Sequence, residues 1–539
     1  PGVIYEYVTV AKENIINEYH FNVLPKYILD GDIKYSLGNF FQITEESSQV
    51  EYLPVTVNHA YSNIPLKKSK FIISDKLSLL GSLINKKTYN NDNHQLLKVI
   101  NNYESNVFEN GIIQENFSSL ERIYSRPHDQ WPTTSDINLA NTTKITYPLK
   151  LNSIKSTANN FETTTSFSGY DIQTGKALET ITTSSYGRSY KTKTVPAYTK
   201  YSAMGNKVDN INNKNMLSQT AAEYSYILDN GVWKETGVGI TTWNNIWSYK
   251  DIGGNTSNPA SEVGVWRKHK TYIWNGIKDS NGIFTNYNNN NTDDDFVWGV
   301  GLSQTNLKWK QTSEITLYNH YSTPLEVKDI NGNFASTKMG DNNTKLMASG
   351  NAGYNEMFYA GGEYISNGFW LEPEVRIQDG ASRSQEKSHT GKYSISTNSS
   401  GKFGVVMRED QHRAGKYKLS VWVYKTDLPY ARVNVDGTNI AFNGEVSNAG
   451  NWALLTHYFD CPITEKFIYV TSSSNEIFYD DLMIRPIASS VTGYVYNEFD
   501  ELTFIIGNNG LATKFEYDAG GRLKETHVEV IDFSDGTPG

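Results

Sequence analysis

Hydrophobic residues along this chain alternate with polar ones far more often than they recur at helical spacing. In "KYKLSVWVY", Tyr417, Leu419, Val421 and Val423 fall on one side, and Lys418, Ser420, Trp422 and Tyr424 on the other. That period of two belongs to a strand with two different faces. Runs rich in Thr, Tyr, Val, Ile and Ser, punctuated by Asn, Gly and Asp, extend the same reading over most of the sequence. Two segments carry a helical pattern instead, "TVAKENIINEYHF" (Thr9 to Phe21) and "KLSLLGSLI" (Lys76 to Ile84). The predicted fold class is all-β.

The strands repeat. "KFEYDAGGRLKET" near the C-terminal end places Tyr517-Asp518 21 residues after Tyr496-Asn497 of "YVYNEFDELTFIIGNNG". Leu502 and Leu523 each follow their tyrosine by six residues, and Gly510 lies 14 after Tyr496. Upstream, Tyr318 and Gly332 keep the spacing of 14, and Leu325 and Leu346 the spacing of 21. Looser copies stand at Tyr89 with Leu96 and at Tyr170-Asp171 with Leu178. A fixed period of this kind marks an array of hairpins, and Asn-Gly supplies the positive φ that a tight turn needs.

"YDAGGRLKET" resembles the Tyr-Asp (YD, or RHS) repeat of very large exported bacterial proteins, and "YSTPLEVKDINGNFASTK" and "VWRKHKTYIWNG" resemble the RHS-like proteins of Bacteroidetes. The resemblance implies an antiparallel β-ribbon that winds into a shell and is secreted or displayed at the cell surface. Some family members carry a C-terminal toxin. The family's self-cleaving core motif and a toxin domain are missing, and the chain opens at Pro1 without a leader, so it reads as an interior piece of a longer parent chain.

Between about Gly361 and Pro486 the repeat spacing gives way to "SHTGKYSIST", "AGKYKLSVWVYKTD", "GNWALLTHYFD" and "EIFYDDLMIRP". That order resembles the jelly-roll β-sandwiches of carbohydrate-binding modules. The expected organisation is a ribbon segment over residues 1–360, a sandwich insert over 361–487, resumed repeats over 488–530 and a tail over 531–539. Trp422 and Tyr424 on the outer face of one strand admit two readings: a platform on which sugar rings stack, or a packing surface against the ribbon. The resemblance also implies a structural calcium, with Glu363 and Asp480 or Asp481 among its ligands, completed by backbone carbonyls. If the hairpins on either side of the insert belong to one sheet, its two ends must lie together.

Composition narrows the function. A net charge of −9 argues against a nucleic-acid partner, and no apolar run is long enough to span a membrane as a helix. One cysteine, Cys461, excludes an internal disulfide framework. His457 lies four residues before it, so a Cys–His pair is conceivable, but a buried strand cysteine is the simpler reading. The ten histidines form no metal-binding motif, "GLSQT" (Gly301 to Thr305) lacks the second glycine of a nucleophile elbow, and "NNNNTDDDF" groups Asp293, Asp294 and Asp295 in an asparagine-rich loop. Seven of the eleven tryptophans fall between Trp233 and Trp309, a density that suits either a ligand groove or layered aromatic packing. These features predict a non-enzymatic structural wall segment that encapsulates or presents another region. The alternative is an adhesin whose sandwich binds cell-surface glycans. Expected partners are the rest of the parent chain, surface glycans or export machinery.

Overall fold

The computed structural model describes the chain from Tyr5 to Asp532, apart from residues 31, 37–39, 58–59, 105–112, 125–134, 148, 251–255, 258–263, 286, 288–295, 367–369 and 372–373. The protein is all-β, and its hairpins share one local construction. Asn497 illustrates it: its backbone N–H donates to Glu501 O, and its own carbonyl accepts from Asp500 N. Its side-chain Oδ1 accepts from Phe499 N and Glu501 N, both at 3.0 Å. Asp500 takes φ +65° to close the turn. Asp518 repeats this with Gly520, Arg522 and a left-handed Gly521. Asn319, Asp329 and Asn90 do the same. This is a three-residue hairpin loop with a left-handed residue at its bulge, and the Asx side chain satisfies amides that the turn leaves over.

The tyrosine before the Asx has a separate task. The Tyr496 hydroxyl donates to Leu346 O at 3.1 Å, Tyr517 to Leu502 O at 2.8 Å and Tyr318 to Lys268 O at 2.7 Å. Tyr170 likewise donates to Leu151 O. In each case the ring reaches the start of the neighbouring strand. The register slips at Val495/Tyr496, Glu516/Tyr517 and Leu317/Tyr318, the local bend a β-bulge produces. The Tyr-Asx pair is therefore a corner: the tyrosine ties two strands and the Asx turns the chain.

The chain divides into two compact units, residues 1–239 with 276–295 and residues 240–275 with 296–539. In the first, nine strands pair antiparallel in series: Tyr7–Lys12, Ile15–Phe21, Leu83–Asn90, Gln95–Glu104, Lys150–Ala158, Phe161–Tyr170, Ala177–Ser184, Ser189–Pro196 and Thr220–Asp229. A separate four-stranded sheet of Phe41–Val57, Ala60–Asp75, Ser135–Thr146 and Ile113–Tyr124 branches from it, with one parallel pairing. The segment expected as a helix at Thr9 to Phe21 is instead a hairpin, with Lys12 opposite Ile15 and Glu13 at φ +52°. Pairing on both edges gives its amides partners that outweigh the helical pattern. At Lys76 to Ile84, one 3-10 turn, Leu77–Leu79, precedes a strand.

The second unit continues the same ribbon grammar through Arg267–Trp274, Trp309–Tyr318, Pro324–Asp329, Phe334–Gly340 and Lys345–Gly350. The next strand to pair is Val491–Tyr496, with Ala348 opposite Gly493 and Gly350 opposite Val491. Leu502–Ile506, Ala512–Tyr517 and Leu523–Val528 follow. The ribbon thus passes directly from residue 350 to residue 491.

The residues between form two seven-stranded sheets. Gly415–Tyr424 lies between Ile477–Pro486 and Trp452–Cys461 in one, and Lys402–Met407, Lys466–Ser472 and Ala431–Val435 lead the other. Successive long strands alternate between the sheets, so the chain crosses the core repeatedly. Phe403, Val405, Leu419, Val421, Val433, Val470, Tyr479 and Ile484 fill that core. Phe358–Ala360 pairs with Leu482–Ile484, which brings the first and last strands of this region side by side.

Candidate functional site

Strand alternation sends Trp422 away from the sandwich core, and what it meets is the ribbon. The ring is 0% exposed and packs with Ala449, Trp452, Leu454, Phe478 and Leu511. Its Nε1–H donates to Gly510 O at 2.9 Å, in the turn after Leu502–Ile506. Gly510 is at φ +86°, and a Cβ there would fall 2.9 Å from Leu454 Cδ2, so the turn must be glycine to seat against the sandwich. Tyr424 is half-buried, set edge-on to Trp452 at 5.5 Å with Lys387 Nζ 4.3 Å over its ring. Of the two readings of this pair, the sugar platform meets a physical obstacle: Trp422 has no exposed face to offer.

Glu363, Asp480 and Asp481 converge on one loop, His389 to Tyr393. Glu363 Oε1 accepts from Lys392 N and Tyr393 N at 2.9 Å. Asp480 Oδ2 accepts from His389 N at 2.7 Å and Thr390 N at 3.2 Å. Asp481 takes the hydroxyls of Tyr359 and Thr390 on Oδ1, and His389 Nδ1 on Oδ2 at 2.7 Å. The other imidazole nitrogen reaches Glu529 Oε1 at 2.7 Å, and the ring stacks on Trp422 with centroids 4.2 Å apart. Burial pulls the imidazole pKa down, but its bonds to Asp481 and Glu529 outweigh this and hold it at about 10. His389 is therefore a buried cation. Burial, and then the Asp481 charge, push Asp480 well above the carboxylate range. The implied calcium does not fit this arrangement: protein donors engage each of the three carboxylates, and His389 supplies positive charge. Among the described residues, only Glu516, Glu525 and His527 bring three ligating atoms within 4.8 Å of one another, on a largely exposed hairpin.

Beside this cluster lies a cavity of about 530 Å³ between the sandwich loop and the ribbon strands. Tyr364, Tyr393, Tyr496, Phe504 and Phe515 line it, all half-buried. Glu363 also lines it, and burial raises its carboxyl to about 7 against the pull of the two amides. Gly391 is required next to it, because a Cβ would meet Glu363 Oε1 at 2.2 Å. Lys345 bridges Asp341 at 3.1 Å, Asp500 at 2.5 Å and the Tyr364 hydroxyl at 2.9 Å. Burial lowers the Lys345 pKa, but these partners reverse the effect and raise it. Its charge is thus neutralised within the protein. The volume lies within the roughly 300–1,000 Å³ of small-molecule sites. Sequence singled out Glu363 but not Tyr364, Tyr393 or His389, whose significance depends on strands distant in sequence.

The remaining candidates resolve simply. Cys461 is buried, and its neighbour is His412 Nε2 at 3.2 Å rather than His457. Burial lifts the thiol to about 11, which leaves it inert. Asp293, Asp294 and Asp295 lie outside the described residues. Trp274 and Trp309 pack edge to face at 5.1 Å, with Phe296 against Trp309 at 5.2 Å, as layered aromatic packing requires. No helix among the described residues is long and apolar enough to cross a membrane.

No protein family matches the chain, and no curated protein does. Among solved structures it is similar to TcdB2-TccC3, at 9% identity over 98% of this chain and 32% of that one, with a TM-score of 0.21. It is also similar to a Photorhabdus luminescens Tc holotoxin pore, at 10% identity over 81% of this chain and 27% of that one, with a TM-score of 0.20. The chain spans about a third of the length of these structures.

Proposed function

We propose that this chain is a wall segment of a large secreted or surface-displayed RHS-like protein, which encloses or presents another region of the same parent, such as a toxin. The observation that carries this is the ribbon: strand follows strand through Tyr-Asx corners, and the pairing passes from Gly350 to Val491 across the sandwich. A sheet built this way extends by adding hairpins and needs no catalytic centre. The test is limited proteolysis of the full-length parent, with fragments identified by mass. An enclosed region is expected to survive at protease levels that digest it once the wall is denatured. Cleavage of that region at the same rate in the intact parent would overturn the reading.

A second reading has its own support. The cavity beside Glu363 combines five half-buried aromatic rings with hydroxyl, carboxyl and amide groups, the chemistry that holds a neutral saccharide: rings against C–H faces, polar groups on hydroxyls. In this reading the sandwich makes the wall a glycan-directed adhesin through that cavity rather than through Trp422. Glycan-array binding that disappears in Tyr393→Ala is expected. Binding that survives that change, or no binding to any glycan, would remove the reading.

A further inference from the structure

Lys338 belongs to the ribbon strand Phe334–Gly340, and its side chain points into the base of the sandwich with 0% exposure. A lysine completely withdrawn from water is rare without a reason. Its Nζ lies 2.6 Å from Glu374 Oε2, and the glutamate side chain is 6% exposed. The amine sits 3.6 Å from the Tyr354 ring centroid and 4.8 Å from that of Phe358, so aromatic walls enclose the pair. Glu374 precedes the sandwich strand Val375–Gln378 and is held at φ +65°, an uncommon conformation for a glutamate. Its second oxygen, Oε1, is buried without a hydrogen-bond partner. A buried ion pair with one orphaned carboxylate oxygen is a poor source of stability, because the desolvation of two charges is only partly recovered. Burial correspondingly lowers the Lys338 pKa, even against the attraction of Glu374.

The same geometry suits a different end state. We propose that Lys338 and Glu374 condense after folding into an isopeptide bond, which joins the ribbon covalently to the sandwich. The condensation proceeds from the neutral pair, reached by moving one proton from Nζ to the Glu374 oxygen 2.6 Å away. The Nζ lone pair then attacks Cδ, which is one bond beyond the oxygen it already touches, within the range of a near-attack arrangement. The Tyr354 ring, its centroid 3.6 Å from Nζ, keeps water from the pair while charge develops on the carboxyl oxygen. The C–N bond forms and one C–O bond breaks. The departing oxygen leaves as water, carrying the carboxyl proton and one proton from nitrogen. Ammonium plus carboxylate thus becomes amide plus water, with no oxidant or co-reactant. A cavity of about 10 Å³ bordered by Glu374, Asn355 and Arg408 adjoins the site, about the volume that one water needs.

The test is the intact mass of the folded full chain, followed by peptide mapping. The bulk of the protein is expected to be lighter than its sequence by one water, with a branched peptide linking Lys338 to Glu374. Lys338→Arg and Glu374→Ala should each return to the full mass of their own sequences. Folded wild-type protein at its full sequence mass would overturn the proposal and leave an ion pair. So would a water loss that maps elsewhere, for example to a cyclised aspartate, or one that persists in Lys338→Arg. The wild-type measurement decides the question even where a variant fails to fold.

Discussion

In the sandwich, the strand Gly415–Tyr424 hides both faces: Leu419, Val421 and Val423 in the inter-sheet core, and Trp422 against the turn at Gly510. In the ribbon, the strand Leu523–Val528 hides neither. The first is rich in apolar and aromatic residues, GKYKLSVWVY, and the second is largely polar, LKETHV, so their compositions already point to different sources of stability. What separates them is where their free energy comes from. The sandwich draws on apolar burial between non-neighbouring strands. The ribbon draws on corners, where an Asx side chain and a tyrosine hydroxyl make bonds over short distances along and between adjacent strands. The first kind of region is sensitive to cavities, and the second to its turns.

The sharpest way to break that contrast is in the core. Phe403→Ala, at a fully buried position, is expected to cost about 3–5 kcal/mol in urea unfolding. Trp422→Ala belongs to the same class, with the added loss of the bond to Gly510 O. A cost near zero for either would remove the distinction.

Next in size is the clamp at His389. Its folded pKa of about 10 lies above the unperturbed 6.5, so the folded state holds the proton more tightly. The stabilisation is complete below about pH 6.5, declines as pH rises, and is lost as pH passes about 10. Melting temperature should fall over that window in the wild type and much less in His389→Gln. A wild-type profile that matches the variant's would refute the buried cation. Chelation with EDTA, by contrast, should leave the melting temperature unchanged; a drop would restore calcium to Glu363, Asp480 and Asp481.

Smaller effects belong to the ribbon. Asn497→Ala removes an acceptor for two backbone amides and should cost about 1 kcal/mol. Leu523→Ala, on the exposed strand, should stay within about 0.5 kcal/mol in the isolated chain. An equal response at Asn497 and Leu523 would mean that the corners do not hold the ribbon.

The same division explains what could be read from the sequence. The spacing of the Tyr-Asx pairs is legible because the bonds it serves are local, Asp518 capping amides two and four residues ahead, but that each pair is a corner shows only in the fold. The outward face of Trp422 was legible from alternation, but its partner, Gly510, lies in a hairpin beyond the sandwich. His389 carried no signal, since its charge depends on Asp481 and Glu529, which only the fold brings to it. The hairpin at Thr9 to Phe21 was misread as helix because a short apolar pattern does not reveal which strands stand beside it.

The central claim is that the sandwich is built into the ribbon rather than hung from it, through Trp422 on Gly510, Lys338 on Glu374 and His389 on Glu529. Native-state hydrogen exchange in increasing denaturant tests this most directly, by following the amides of Val491–Tyr496 in the ribbon and of Gly415–Tyr424 in the sandwich. The two sets are expected to open together at one free energy in the wild type, and to separate in Trp422→Ala. Ribbon amides that open well below an intact, fully protected sandwich in the wild-type chain would contradict the account.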